Sequence, residues 1–174
     1  MGRTKALIEI AGVPMATTVA RALTAAGCDP VVVYGGDPDE LASLEPPVLP
    51  DRYPGAGPLG GVLGVLDTVA EIVTVTHVAV LACDLPAITG ATIVPLVDAA
   101  RTAPDLDVVV ARTDRLEPAC AIWSVSSLAA VRRRFAAGER ALHTAIGALR
   151  SVEVEVPAEM LVNINTPDDL GRYP

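Results

Sequence analysis

The chain has 174 residues, of which 51% are hydrophobic and 20% charged, with a net charge of −8. That length suits one domain burying about two-thirds of its unfolded surface, and the composition excludes a disordered polymer. The acidic balance argues against a nucleic-acid backbone or an anionic membrane as partner, although a phosphorylated small molecule needs only local positive potential.

In chain order, Ala6-Leu7-Ile8-Glu9-Ile10 is a short alternating apolar segment followed by Ala11-Gly12-Val13-Pro14. Apolar residues at helical spacing (Met15, Val19, Leu23) predict a helix over 15–26, with Gly27 as its C-terminal cap. Val31–Tyr34 reads as a strand ended by Gly35-Gly36. Asp37-Pro38 is expected to open a short helix running to about residue 44, and 46–50 is an extended return. The loop Asp51-Arg52-Tyr53-Pro54-Gly55-Ala56-Gly57-Pro58-Leu59-Gly60-Gly61 feeds an apolar helix expected over 62–69. Glycines there let backbone approach a ligand, and a helix N-terminus favours an anion or an electron-rich edge. Gly/Pro-rich turns are also common as plain turns.

Thr76-His77-Val78-Ala79-Val80-Leu81-Ala82-Cys83-Asp84-Leu85-Pro86 ends a continuous apolar run at one carboxylate. Consecutive apolar positions suit a strand buried on both faces of a parallel sheet, and ligands of such sheets gather beyond the strands' carboxyl ends. Asp84 falls there, where a hard oxygen suits Mg²⁺ carried by phosphates. Capping of the helix that begins near Thr89, or closure of an Asx turn, is the other reading of this residue. Beyond it, the pattern predicts a helix over 91–102, strands over 107–111 and 118–123, a helix over 125–135 capped by Ser124, and a helix over 141–149. Strands over 152–156 and 160–165 follow, then a closing helix from Thr166-Pro167. Strands and helices alternating in one block imply a three-layer α/β domain.

Cys28, Cys83 and Cys120 are widely spaced and form no CxxC, so a disulfide scaffold or zinc site is not expected, and reduced thiols suit a cytoplasmic protein. No uncharged apolar run approaches the ~20 residues of a membrane helix, and no signal peptide is recognised at the start. The Arg132-Arg133-Arg134 run reads as a solvated helix face, and His77 and His143 receive no role. Among 13 basic residues, Lys5 is the single lysine.

Five motifs occur together and in order: Met1-Gly2 with Lys5-Ala6-Leu7, Pro54-Gly55-Ala56-Gly57-Pro58-Leu59-Gly60-Gly61, Cys83-Asp84-Leu85-Pro86, Ala137-Gly138-Glu139-Arg140, and Val162-Asn163-Ile164-Asn165-Thr166-Pro167-Asp168-Asp169-Leu170. In this the chain resembles the molybdenum cofactor guanylyltransferases, within the wider Rossmann-like nucleotidyltransferases, over almost all of residues 1–174. The resemblance implies a single α/β, three-layer Rossmann-like domain with a mostly parallel sheet. It implies Mg²⁺-dependent transfer of GMP from GTP to the phosphate of molybdenum-bearing molybdopterin, with release of pyrophosphate. Lys5 is then the phosphate cation and Asp84 the metal ligand, both catalytic. Lys5, Asp51, Gly57, Pro58, Leu59 and Gly60 bind nucleotide, and Asn163 and Asn165 bind molybdopterin. It implies transient contact with proteins of that cofactor pathway.

The family begins with a buried strand and a Gly-rich phosphate loop upstream of Met-Gly, which this sequence does not show. For the chain as written the expectation is therefore a lost central strand, lost backbone donors to GTP and weak activity. Three alternatives stay open: CTP as nucleotide, another phosphorylated acceptor such as phospholactate or a sugar phosphate, or a non-catalytic relative that binds a pathway partner or molybdopterin.

Overall fold

In a computed structural model, residues 4–72 and 74–164 are described. The chain forms two compact units. One comprises Met1–Pro50, Leu81–Val94 and Val156–Pro174, the other Asp51–Val80 and Pro95–Glu155.

The first unit starts with a 3-10 turn, Lys5–Leu7, and a small antiparallel hairpin of β1 (Glu9–Ile10) and β2 (Val13–Pro14). Its two turn residues, Ala11 and Gly12, both have positive φ (50° and 78°), as a two-residue turn matched to strand twist requires. Helix α1 (Met15–Ala25) buries Met15, Ala16, Val19, Ala20 and Leu23 on its apolar stripe. It ends as the sequence predicts: Gly27 takes φ 84°, its N–H reaches the Thr24 carbonyl at 3.0 Å, and Cys28 N–H reaches the Leu23 carbonyl at 3.0 Å. That is the double bond of a Schellman cap.

β3 (Val33–Tyr34) and β4 (Val48–Leu49) pair in parallel, Val33 opposite Val48. The helix expected from Asp37 does not form. The segment is a series of turns in which Asp37 Oδ1 accepts from the N–H groups of Asp39 (2.9 Å) and Glu40 (3.4 Å), while Leu41 and Leu44 are buried. The cap is present without its helix, because a short segment cannot repay the cost of nucleation once its two leucines are anchored.

The second unit opens with α2 (Gly57–Val69). The helix therefore begins within the glycine segment, five residues before the expected start. β5 (His77–Leu81) follows, running into the first unit at Leu81, and α3 (Gly90–Thr102) starts in the first unit and ends in the second. β6 (Val108–Arg112), β7 (Leu116–Ser124), α4 (Leu128–Ala136), α5 (Leu142–Ile146) and β8 (Ser151–Glu155) complete it, with a sheet order of β5-β7-β6-β8. β6 runs parallel to β8 but antiparallel to β7. The short link through Thr113-Asp114-Arg115, where Thr113 N–H bonds to the Arg115 carbonyl at 2.9 Å, leaves room only for a hairpin. The sheet is accordingly mixed at that position.

Leu59, Val62, Leu63 and Leu66 of α2 pack with Val108, Val110, Trp123, Val131 and Ile146 into the core of this unit. The β6–β8 register is tied at its start by Arg150, whose backbone N–H and guanidinium donate to the Asp107 carboxylate at 3.0–3.2 Å. Ser124 Oγ accepts from Ser126 N–H, the cap expected of it, although a 3-10 turn (Val125–Ser127) precedes α4.

The strand expected over 160–165 is replaced by a 3-10 turn, Ala158–Leu161, and an extended tail. Leu161 and Ile164 are buried, and Ile164 N–H donates to the Asp84 carbonyl at 3.1 Å. One such bond stands in place of a strand ladder. Asn165 and the helix expected from Thr166 lie outside the described residues. Among the described residues no helix is long and apolar enough to cross a membrane.

Candidate active site

Two residues before a proline, the backbone after β5 turns, and Asp84 sits in that turn with 8% of its surface exposed. Leu85 and Ile88 are buried beside it and fix the turn. The carboxylate does not cap α3: the hydroxyls of Thr89 and Thr92, 3.0 Å apart, occupy that helix start. Instead it faces two groups far away in sequence. Lys5 Nζ lies 3.3 Å from Oδ2, and Asn163 Nδ2 donates to Oδ1 at 3.4 Å. Lys5 is placed by its 3-10 turn, whose Ala6 is buried against Ala16, Leu41 and Leu44. Asn163 is placed by its buried neighbours Leu161 and Ile164. Thus Lys5, Asp84 and Asn163, three residues singled out from sequence, meet at one point of the first unit.

The neighbouring Cys83 packs against the same small cluster. Burial, with Asp84 adding repulsion, pushes its thiol above the ordinary range, so it stays protonated and takes no nucleophilic part near neutral pH.

Among the described residues no three His, Cys, Asp or Glu side chains converge as a metal cage. The donor set at Asp84 is one carboxylate beside an amide and an ammonium. Such a set fits Mg²⁺, which takes one or two carboxylates and leaves its other positions to water and substrate phosphates. It does not suit a structural zinc site, which needs four closed ligands. Asp84 would hold the ion, and Lys5 would supply a compact positive charge for phosphate oxygens.

Asn165 lies outside the described residues, and the remaining sequence-selected residues, Asp51, Gly57, Pro58, Leu59 and Gly60, lie in the second unit. Asp51 Oδ1 accepts from Tyr53 N–H at 2.9 Å, closing an Asx turn. Gly57, at φ 78°, adopts a conformation that side chains resist. Pro58, exposed, has no N–H to offer, and the N–H of Leu59 is already bonded to the Arg140 carbonyl at 3.1 Å. Two of the first N–H positions of α2 are therefore closed to a ligand, one because proline lacks the group and one because its bond is made within the protein. The Leu59 side chain is fully buried in the core and holds the loop from beneath. Gly60 is a packing glycine: a Cβ there would lie 2.8 Å from the Ala56 Cβ and within 3.5 Å of Phe135 and Tyr53.

Sequence reasoning passed over the support of this loop. Tyr53 donates its hydroxyl to Asp67 Oδ2 at 2.7 Å, and Asp67 also accepts from Arg132. Part of the arginine run is thereby a partner for a carboxylate and not only a solvated face. The bond to Asp67 holds the Tyr53 hydroxyl above its usual range. The only sequence signal was Asp67 within an otherwise apolar helix.

The profile of the MobA-like NTP transferase domain matches residues 1–165. The chain belongs to that family. It is accordingly a nucleotidyltransferase enzyme, and its mixed α/β architecture is the Rossmann-like one expected. A probable molybdenum cofactor guanylyltransferase of Opitutus terrae is 34% identical over 179 residues, covering 99% of this chain and 87% of the relative. The crystal structure of molybdopterin-guanine dinucleotide biosynthesis protein A from Archaeoglobus fulgidus superposes with a TM-score of 0.73 at 21% identity, over 99% of this chain and 89% of that one. The 2-C-methyl-D-erythritol 4-phosphate cytidylyltransferase of Thermus thermophilus superposes about as well, with a TM-score of 0.72 at 17% identity over 97% and 91%. The fold is therefore common to MobA-like and cytidylyl-transferring proteins.

Proposed function

We propose that this MobA-like chain transfers GMP from GTP to the terminal phosphate of molybdenum-bearing molybdopterin. A pterin phosphate oxygen attacks the α-phosphorus of GTP, the bond to the bridging α–β oxygen breaks, and pyrophosphate leaves with the electron pair. The protein's part in such a reaction is to position the phosphates and counter their charge. The observation that carries the reading is the meeting at Asp84 of Lys5 and Asn163, each 79 positions away from it in sequence on opposite sides. Lys5 neutralises the phosphate oxygens, and Mg²⁺, when bound, counters the charge that grows on the leaving pyrophosphate. Asp84 orients that ion. Asn163, with its amide nitrogen on Asp84, keeps the carboxylate in place and leaves its own carbonyl for an acceptor's N–H groups. By the family pattern Asn165 is likewise assigned to molybdopterin. The turn from Asp51 to Gly60 selects the base, and the names of the curated relatives favour guanine.

Calorimetric titration of this chain with GTP and then CTP, each with and without Mg²⁺, tests the reading. GTP is expected to bind in preference to CTP, with binding dependent on Mg²⁺ and weakened at least about tenfold in Asp84→Ala. Stronger binding of CTP, or GTP affinity that ignores both Mg²⁺ and Asp84, refutes it. Turnover with molybdopterin, compared with other phosphorylated acceptors, tests the acceptor.

A further inference from the structure

Arg140 follows Gly138-Glu139 at the end of α4, and its surroundings are more heavily bonded than an exposed arginine requires. Gly138 takes φ 95° and donates to the Phe135 carbonyl at 3.0 Å, while Glu139 N–H reaches the Arg134 carbonyl at 3.1 Å. This is a Schellman cap on α4. The Glu139 carboxylate then turns forward and accepts from the N–H groups of Arg140 (2.8 Å) and Ala141 (2.9 Å), which hold it below the usual carboxylate range. Arg140 Nη1 folds back to donate to the carbonyls of Phe135 (2.8 Å) and Glu139 (2.7 Å). Its guanidinium lies 4.0 Å from the centroid of the Phe135 ring. A cation thus covers both the carbonyl end of α4 and an aromatic face.

The consequence falls on α2. The Arg140 carbonyl, held in this locked turn, accepts from Leu59 N–H at 3.1 Å, and a Cβ on Gly57 would touch Arg140 at 3.5 Å. From the other side Phe135 packs on Tyr53, ring centroids 5.4 Å apart, and Tyr53 is bonded to Asp67. The segment from Tyr53 to Gly60 is gripped at both ends by one stack.

We infer that Arg140 is a positioning residue for nucleotide-base selection: stacked on Phe135, it sets the position of the Gly57–Leu59 turn. The inference rests on the assignment of that turn to the base. A base is discriminated by hydrogen bonds that tolerate little displacement. Loosening the turn therefore raises the nucleotide KM and weakens base preference, while the phosphate chemistry at Lys5 and Asp84 keeps its kcat.

The test compares wild type, Arg140→Ala, Arg140→Lys and the exposed neighbour variant Arg133→Ala. In both Arg140 variants the KM for GTP is expected to rise about tenfold, with the GTP-over-CTP preference falling by a similar factor, kcat within about threefold, and Arg133→Ala unchanged. Lysine is not expected to rescue, because its rounded ammonium cannot lie flat over the Phe135 ring as the planar guanidinium does. Amide exchange of Leu59 gives a second reading without nucleotide, and its protection is expected to drop in both variants. Unchanged Leu59 protection, or unchanged KM and base preference despite a lowered Tm, overturns the inference and leaves the base assignment standing. A wild-type enzyme with no base preference overturns both together.

Discussion

Gly60 and Gly61 are neighbours in α2, and the structure assigns their substitutions opposite signs. Gly61 has no heavy atom within 4 Å of an added Cβ. Gly61→Ala therefore gains helix propensity without a steric penalty and is expected to stabilise by about 0.5–1 kcal/mol. Gly60→Ala makes the same gain but places its methyl 2.8 Å from the Ala56 Cβ, with Phe135 at 3.4 Å. Ala56 precedes the first helical residue and its Cβ is fixed to the backbone, so no rotamer change relieves the contact. Overpacking of this kind costs about 1–3 kcal/mol, leaving a net loss of about 1 kcal/mol after the propensity gain is subtracted. The two variants should then differ by about 2 kcal/mol, or roughly 4–8 °C in Tm for a chain of this size. Urea unfolding followed by circular dichroism measures the difference. A Gly60→Ala protein as stable as Gly61→Ala would refute the packing argument and return Gly60 to the class of glycines kept for ligand approach.

Two further outcomes follow from charge and burial. Hydrogen bonds from Arg150 hold the Asp107 carboxyl below its ordinary value of 3.8, against an opposing effect of burial. Because the folded value is the lower one, the stabilisation is complete above about pH 5 and disappears as pH falls through the folded value. Asp107→Asn should therefore have a lower urea midpoint than wild type at pH 7, and the gap should close toward pH 3. A gap independent of pH would show that the pair contributes shape and not charge. The three thiols should also separate by rate under an aromatic disulfide reagent at pH 8. Cys120 is buried and pushed up to about 12, and Cys83 is also raised by burial, whereas Cys28 is half-buried at a helix end. Cys28 is expected to react first and Cys120 only on unfolding. Early labelling of Cys120, read by mass spectrometry, would contradict the packing of β7.

Much of the fold was legible because its signals act over a few residues. The stripe Met15, Val19, Leu23 with Gly27 gave α1 and its cap, and the apolar runs placed β5, β6, β7 and β8 within one or two residues of their positions. The errors arose where a local signal was outweighed by an anchor elsewhere. Asp37 kept its cap while Leu41 and Leu44 held the segment in turns. The alternating tail around Asn163 bonds to Asp84 and forms no strand. The link at Thr113-Asp114-Arg115 was short enough to demand a hairpin, a signal that was available and unused.

The same division holds at the site. Residue types and their order, in five motifs, pointed to the family, and Lys5, Asp84 and Asn163 within them to the chemistry proposed, because charge, hard oxygen and amide are properties of side chains wherever they stand. That Asn163 turns its nitrogen to Asp84, and that the Arg140 carbonyl occupies the Leu59 N–H, was decided only by tertiary structure. A hydrogen bond is made or lost within a few tenths of an ångström. Between residues so far apart in sequence, such a distance is set by the packing of all the chain between them.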